Sequence, residues 1–142
     1  MNRTRWMTIL MAPAAIVSLS GCGINSIPTA EEDVKARWAD VENQYQRRAD
    51  LIPNLVETVK GYAAQESKVL TDVTEARAKA SSIQVQADDL GDPAKLRQFS
   101  EAQGQLGASL GRLLATVEAY PDLKSNQNFL ALQSQLEGTE NR

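Results

Sequence analysis

Apolar residues recur at alternating steps of four and three along most of the first 90 residues of this 142-residue chain. The series keeps one heptad register over about eight heptads, with polar gaps at Arg48 and Glu66, a pattern typical of bundle-forming helices. It consists of Val34, Trp38, Val41, Tyr45, Ile52, Leu55, Val59, Tyr62, Val69, Val73, Ala76, Ala80, Ile83, Ala87 and Leu90. No segment alternates apolar and polar residues as a strand does. The sequence therefore predicts an all-α fold, an antiparallel helical bundle or long helical hairpin.

Pro53 lies inside this pattern and predicts a kink, or a tight break, in the first helix. A proline at this position leaves the carbonyl of Ala49 without its helical donor. Asp50 is placed to cap a restarting helix, and the side chains of Arg47 and Arg48 are placed to bond the freed carbonyls. Arg48 also has two interpretations of its own. It is either a partner contact in the seam, or an arginine whose aliphatic chain packs against the bundle while its guanidinium group extends outward.

Leu90 to Pro93 form the clearest boundary of the chain. Gly91 suits a helix end, Asp92 an N-cap and Pro93 the first helical position. The second helix then carries a polar residue, Gln103, in an apolar face made of Leu96, Phe99, Leu106, Leu110, Leu113 and Val117.

Glycines and a second boundary mark the rest of the chain. Three glycines in two turns weaken a helix, so we expect a neighbouring backbone to approach them closely; they are Gly104, Gly107 and Gly111. A third helix is expected to begin near Leu123 or Ser125, with Phe129, Leu132 and Leu136 facing inward.

The amino terminus has the features of an export signal. Arg3 and Arg5 precede a short apolar run, and the small residues before Cys22 resemble the lipobox of bacterial lipoproteins. We therefore expect a signal peptide at 1–21, lipidation of Cys22, a tether at 22–30 in which Pro28 discourages regular structure, and a helical domain at 31–142. The alternative is an ordinary signal anchor with an incidental cysteine.

Composition limits the chemistry. The chain has no histidine, and its one cysteine is assigned to the anchor. Without Arg3 and Arg5, 13 basic and 18 acidic side chains give a net charge of −5, which argues against nucleic acid as a partner. An acidic cluster, Asp88, Asp89 and Asp92, loosely suggests calcium, but a solvated turn with a helix cap is the favoured interpretation. We therefore expect no enzymatic activity, no metal and no cofactor.

Four segments closely resemble the LemA family of bacterial membrane-attached proteins. They are Arg47–Ala63 (RRADLIPNLVETVKGYA), Glu75–Arg77, Tyr120–Lys124 and Phe129–Arg142. The resemblance implies a bundle of long antiparallel helices, no established catalytic residues, and a TPM-domain protein or a membrane zinc metalloprotease as partner. It also implies a further helical stretch beyond the present carboxy terminus, so that the domain at 31–142 is expected to be incomplete.

Together these features predict a lipid-anchored interaction module, a scaffold or adaptor of the cell envelope. Its expected partner contacts are Arg47, Arg48, Asp50 and Tyr62. Self-association is a second expectation. The protein is expected to face the periplasm. The outer membrane is weakly favoured, because the residue after Cys22 is Gly23 and not the aspartate that retains some lipoproteins at the inner membrane. The alternative function is a bundle that binds a lipid or small molecule in a cavity lined by the glycines and by Ala76, Ala80 and Ala87.

Overall fold

A computed structural model describes residues 26–140 of the chain. The expected signal peptide, the lipidation site Cys22 and residues 141–142 lie outside the described residues. Within them the chain forms α1 (Ser26–Lys60), α2 (Ser67–Ser82), α3 (Pro93–Val117), α4 (Pro121–Lys124) and α5 (Gln127–Glu140), with a 3-10 helix at Ala87–Gly91. This part of the chain contains no strand, so the all-α prediction is confirmed. None of its helices is long and apolar enough to cross a membrane.

The chain divides into two units, one up to Arg37 and one from Trp38 onward. In the first unit α1 already begins at Ser26, so the expectation of irregular structure at 26–30 is wrong. Pro28 lies in the first helical turn. Backbone N–H groups there have no acceptor within the helix, so proline removes no helical hydrogen bond.

In the second unit α1 and α3 run in the same direction. The Trp38 ring of α1 contacts Phe99 in the first turns of α3, with ring centroids 5.8 Å apart. After the other ends of these helices, the Gln65 amide donates to the Tyr120 hydroxyl at 2.9 Å. The two helices therefore lie side by side and in parallel.

The other two long helices run in the opposite direction. Lys79, near the end of α2, donates to Gln105 in the middle of α3 at 2.9 Å, while Glu66 before α2 accepts from Tyr120 after α3. α5 starts beside the end of α1 and finishes beside its middle, where Glu140 pairs with Arg48. The four helices α1, α2, α3 and α5 thus form an up-down-up-down bundle.

The core of the bundle is made of apolar side chains from all four long helices and from α4. The largest of the fully buried side chains are Ile52, Leu55, Val59, Val73, Leu106, Leu113, Leu123 and Phe129. Phe129 and Leu136 are buried and Leu132 packs against the core, which confirms the inward face predicted for the third helix.

The main departure from the sequence prediction is a turn at residues 61–66. The continuous register predicts a single first arm, but the chain reverses here and the register is shared by two antiparallel helices. The backbone N–H groups of Tyr62 and Ala63 both donate to the Val59 carbonyl, at 3.0 and 2.8 Å, and Ala63 is fully buried. Gly61, with low helix propensity, begins the turn, and the register gap at Glu66 lies at its end.

Pro53 lies in an unbroken α1. The tight break and the helix restart capped by Asp50 are therefore wrong, because Asp50 lies inside the helix and accepts from Gln46 Nε2 at 2.9 Å. A kink at Pro53 stays a prediction.

The carbonyl that Pro53 frees is bonded from another helix. Arg77 of α2 donates from Nε to the buried Ala49 carbonyl at 2.6 Å. The expectation that Arg47 or Arg48 would fill this role is wrong, because the long Arg77 side chain reaches that carbonyl from α2, while Arg48 pairs with Glu140.

The predicted boundary before α3 is confirmed. Asp92 is the N-cap, with Oδ1 accepting from the N–H groups of Ala94 and Lys95 at 2.9 and 3.3 Å, and Pro93 is the first helical residue. The last long helix begins at Gln127, slightly later than expected. The side chain of Asn126 accepts there from the N–H groups of Asn128 and Phe129.

The bond between Arg77 and Ala49 predicts a specific coupling. Arg77→Met leaves a buried carbonyl unpaired, so we expect a loss of about 1.5–3 kcal/mol in the free energy of unfolding. In a Pro53→Ala background the same change should cost much less, because residue 53 then supplies the helical N–H. Denaturant unfolding of the four proteins of this cycle measures the coupling. An equal cost in both backgrounds would show that Arg77 acts in another way.

The bond between Tyr120 and Glu66 predicts a titration effect. The Tyr120 hydroxyl donates to Glu66 at 2.8 Å, which raises the tyrosine pKa above its usual value. The bond favours the neutral phenol, so its contribution to stability is present below the ordinary pKa of about 10 and is lost as pH rises through the higher folded value. Glu66→Gln should lower this pKa, measured by phenolate absorbance after subtraction of Tyr120→Phe. An unchanged titration would contradict the assignment.

Candidate functional site

An open groove of about 620 Å³ lies between α1 and α3, beside the end of α5. We call it the α1–α3 groove. Its lining combines aromatic, aliphatic, small and polar residues: Trp38, Val41, Tyr45, Arg48, Leu96, Phe99, Ser100, Gln103, Gly104, Gly107 and Glu140.

Three aromatic rings form one wall of the groove. Phe99 meets Trp38 and Tyr45 edge to face, with centroids 5.8 and 5.0 Å apart. Trp38 Nε1 donates to the carbonyl of the buried Val85 at 2.7 Å. Each edge-to-face pair contributes about 0.5–1.5 kcal/mol beyond its buried area, so the wall is a fixed surface.

The glycines of α3 leave space in the groove. A Cβ atom at Gly104 would meet nothing within 4 Å, and one at Gly107 would lie 3.5 Å from Arg48 Nη2. A Cβ at Gly111 also meets nothing within 4 Å. The expected close approach of a neighbouring backbone is therefore wrong. Gly104 and Gly107 line the open groove instead, and Gly107 accommodates an arginine side chain.

Two polar side chains in the groove lining are incompletely bonded. Arg48 Nη2 pairs with Glu140 Oε1, but Arg48 Nε and Gln103 Oε1 are buried and have no hydrogen bond partner among residues 26–140. The Arg48 side chain is only 11% exposed, so it does not extend outward into solvent. Both residues interrupt apolar stripes of the sequence, and this interruption is the signal that marks them.

The structure does not bring the four expected contact residues together. Arg47 and Asp50 are exposed on α1, and only Arg48 lines the groove. Tyr62 is exposed beyond the end of α1, where its hydroxyl accepts from Asn126 Nδ2 at 2.9 Å. Arg48 and the end of α1 at Lys60 are about 18 Å apart along the helix axis. Partner contact by these residues stays a prediction.

Two members of the acidic cluster, Asp89 and Asp92, perform helix capping. Lys95 and the backbone N–H of Gln86 both bond Asp89, and they hold its pKa below the usual value. Asp92 caps α3, which confirms the favoured interpretation of a capped turn. Residues 26–140 contain no group of three side chains suited to hold a metal ion.

Comparison with known proteins identifies the family. The model of the LemA family matches residues 37–142. The chain belongs to the LemA family.

The curated relatives of this LemA protein include three magnetosome proteins. It is 28% identical over 134 residues to magnetosome protein MamQ of Magnetospirillum gryphiswaldense and to MamQ 1 and MamQ 2 of Paramagnetospirillum magneticum. Each match covers 83% of this chain and 49% of the relative. The chain thus spans about half the length of the curated relatives it matches.

Four of the small residues that the ligand-binding alternative requires line three different recesses among residues 26–140. Ala80 borders a recess of about 80 Å³ below the aromatic wall, whereas Ala76 borders a polar recess between α2 and α3. Gly104 and Gly107 line the α1–α3 groove. These four members of the set are therefore divided among three places.

The bond between Trp38 and Val85 predicts a loss of stability in one variant. Trp38→Phe keeps a ring against Phe99 but leaves the Val85 carbonyl without its donor, so we expect a loss of about 1 kcal/mol in the free energy of unfolding. Tyr45→Phe is the matched control, because it keeps its ring contact. Thermal unfolding of both variants is the measurement, and equal melting temperatures would contradict the prediction.

Proposed function

We propose that this LemA protein is a non-enzymatic, lipid-anchored helical interaction module of the bacterial cell envelope that acts as a scaffold or adaptor. The observation that carries the proposal is the α1–α3 groove. It offers a rigid aromatic wall and half-buried aliphatic side chains on the outside of a well-packed bundle, and such surfaces are typical of protein recognition sites.

The interactions that polar side chains make within the bundle support a non-enzymatic role. The strongest candidates for acid–base chemistry, Asp89 and Asp92, are engaged in a salt bridge and a helix cap. The Tyr120 hydroxyl joins two turns, and the Arg77 guanidinium joins two helices. These groups stabilise the bundle.

The sequence before the described residues supports membrane attachment. Lipidation of Cys22 anchors the domain through the tether, facing the periplasm, with a lean toward the outer membrane. The relatives named as magnetosome proteins support a role in an organised assembly. By family analogy the partner is a TPM-domain protein or a membrane zinc metalloprotease, contacted through Arg47, Arg48, Asp50 and Tyr62.

The anchor and the partner are tested in one experiment. Cys22→Ala removes the thiol that is lipidated, so we expect loss of metabolic labelling by a fatty acid and release of the protein from the membrane fraction. Cross-linking in living cells followed by mass spectrometry should then recover one envelope protein with the anchored form and lose it with Cys22→Ala.

Ser20→Ala is the matched control, since it keeps a small residue before the cysteine and should leave labelling and cross-linking unchanged. Membrane retention of Cys22→Ala would contradict the anchor. Recovery of this protein alone would contradict the adaptor role and favour self-association.

A further inference from the structure

A small recess lies on the α2 side of the aromatic wall. Its volume is about 80 Å³, and it is bordered by α1, the end of α2, the segment at 83–85 and α3. One water molecule needs about 10–15 Å³ of such volume, so the recess has room for several waters or for a small organic molecule. Arg48 and Glu140 line the α1–α3 groove but not the recess. The recess is therefore a separate site, although it shares the aromatic wall with the groove.

Aromatic rings give the recess a fixed shape. Trp38 Nε1 donates to the Val85 carbonyl at 2.7 Å, which connects α1 to the segment that borders the recess after α2. Phe99 meets Trp38 and Tyr45 edge to face, so three rings at steep angles to one another border the same small volume. The faces of such rings carry partial negative charge and attract cations.

The polar side chains of the recess supply an acceptor and a negative charge. Gln103 borders the recess, and its Oε1 is buried without a hydrogen bond partner among residues 26–140. Glu42 is the only charged residue of the described chain that lines the recess, and within that part of the chain it makes no hydrogen bond or ion pair. It lies one turn after Trp38 and three residues before Tyr45, so its carboxylate shares a helix face with two of the rings. What the recess lacks is a positively charged hydrogen bond donor.

We propose that this recess binds a small primary alkylammonium ion. The N–H groups of the ligand donate to Gln103 Oε1 and to the Glu42 carboxylate, and its short alkyl chain lies against the rings. A buried acceptor without a partner is unfavourable, and a charged donor satisfies it more strongly than a neutral one. An amide oxygen has two lone pairs, so this bond leaves Gln103 able to accept from a partner in the groove as well. The inference goes beyond the proposed interaction function and does not depend on it.

The test uses the full chain with Trp6→Phe, so that Trp38 is its one tryptophan. The probe is n-butylammonium chloride, and the measurement follows the indole N–H signal of Trp38 by nuclear magnetic resonance, because Trp38 borders the recess. n-Butanol is the neutral control, since it keeps the alkyl chain and a hydrogen bond donor without the charge. Tetramethylammonium keeps the charge without an N–H group. We expect a saturable shift with n-butylammonium and binding of either control that is weaker by at least about tenfold.

Two substitutions in the lining locate the binding. Gln103→Met keeps the length of the side chain but removes the acceptor, so it should weaken n-butylammonium binding by at least about tenfold. It also removes a buried atom without a partner, so the melting temperature should not fall, which separates lost binding from lost folding. Glu42→Gln should weaken binding by about two- to fivefold, because this carboxylate is exposed. Glu75→Gln is the matched control, since Glu75 is an exposed carboxylate that lines a different recess, and it should leave binding unchanged.

Four results would each overturn the proposal. The first is the absence of a saturable shift with n-butylammonium, and the second is equal affinity for either control probe. The third is binding that Gln103→Met leaves intact. The fourth is an equal loss of affinity in Glu42→Gln and Glu75→Gln, which would show a general attraction of cations to an acidic surface. Because these measurements use purified protein and soluble probes, they fail independently of the cross-linking in cells that tests the adaptor role.

Discussion

The hydrogen bond from Arg77 to the Ala49 carbonyl makes the arrangement of α1 and α2 possible. A proline in the interior of a helix is less favourable than alanine by about 3 kcal/mol, partly because one carbonyl loses its donor. α2 supplies a charged donor to that carbonyl at 2.6 Å. A guanidinium group reaches one carbonyl only if the helices keep a fixed axial offset, so Pro53 determines where α2 lies along α1. The segments 47–63 and 75–77, two of those that carry the family resemblance, meet at this bond.

Similar hydrogen bonds connect distant parts of the chain at the two ends of the bundle. Tyr120 bonds Glu66 where the turns at 61–66 and 118–120 meet, and Trp38 bonds the Val85 carbonyl at the opposite end. Apolar packing between them is non-directional and tolerates sliding by a turn. Three directional bonds at three levels exclude such sliding, and they hold the aromatic wall of the groove in place.

Local signals in the sequence predicted the helical fold and the boundary before α3, but tertiary contacts decided where the first arm reverses and how the helices are arranged. The cap at Asp92 and the inward face of Phe129 follow from one or two turns of chain, and both are confirmed. The reversal at 61–66 was missed because a heptad register persists through it, and only Gly61 and the polar gap at Glu66 mark the place. Arg77 was missed as the partner of Ala49 because the bond joins residues 28 positions apart.

The candidate groove was predictable only in part, and for a physical reason. Trp38, Tyr45 and Phe99 stood out as apolar stripe residues, yet a stripe does not reveal whether its face is covered or open. The two polar interruptions, Arg48 and Gln103, carry that information. If this face were a closed helix–helix contact, leucine at these two positions would be more favourable. A buried polar atom without a hydrogen bond partner costs about 1–3 kcal/mol, and leucine has no such atom. At a recognition surface, which is the proposed function of the groove, the same atoms discriminate, because a wholly apolar partner leaves both unpaired and a partner with an acceptor and a donor pairs them. Under that proposal, the stability that the fold loses at these two atoms is the source of selectivity.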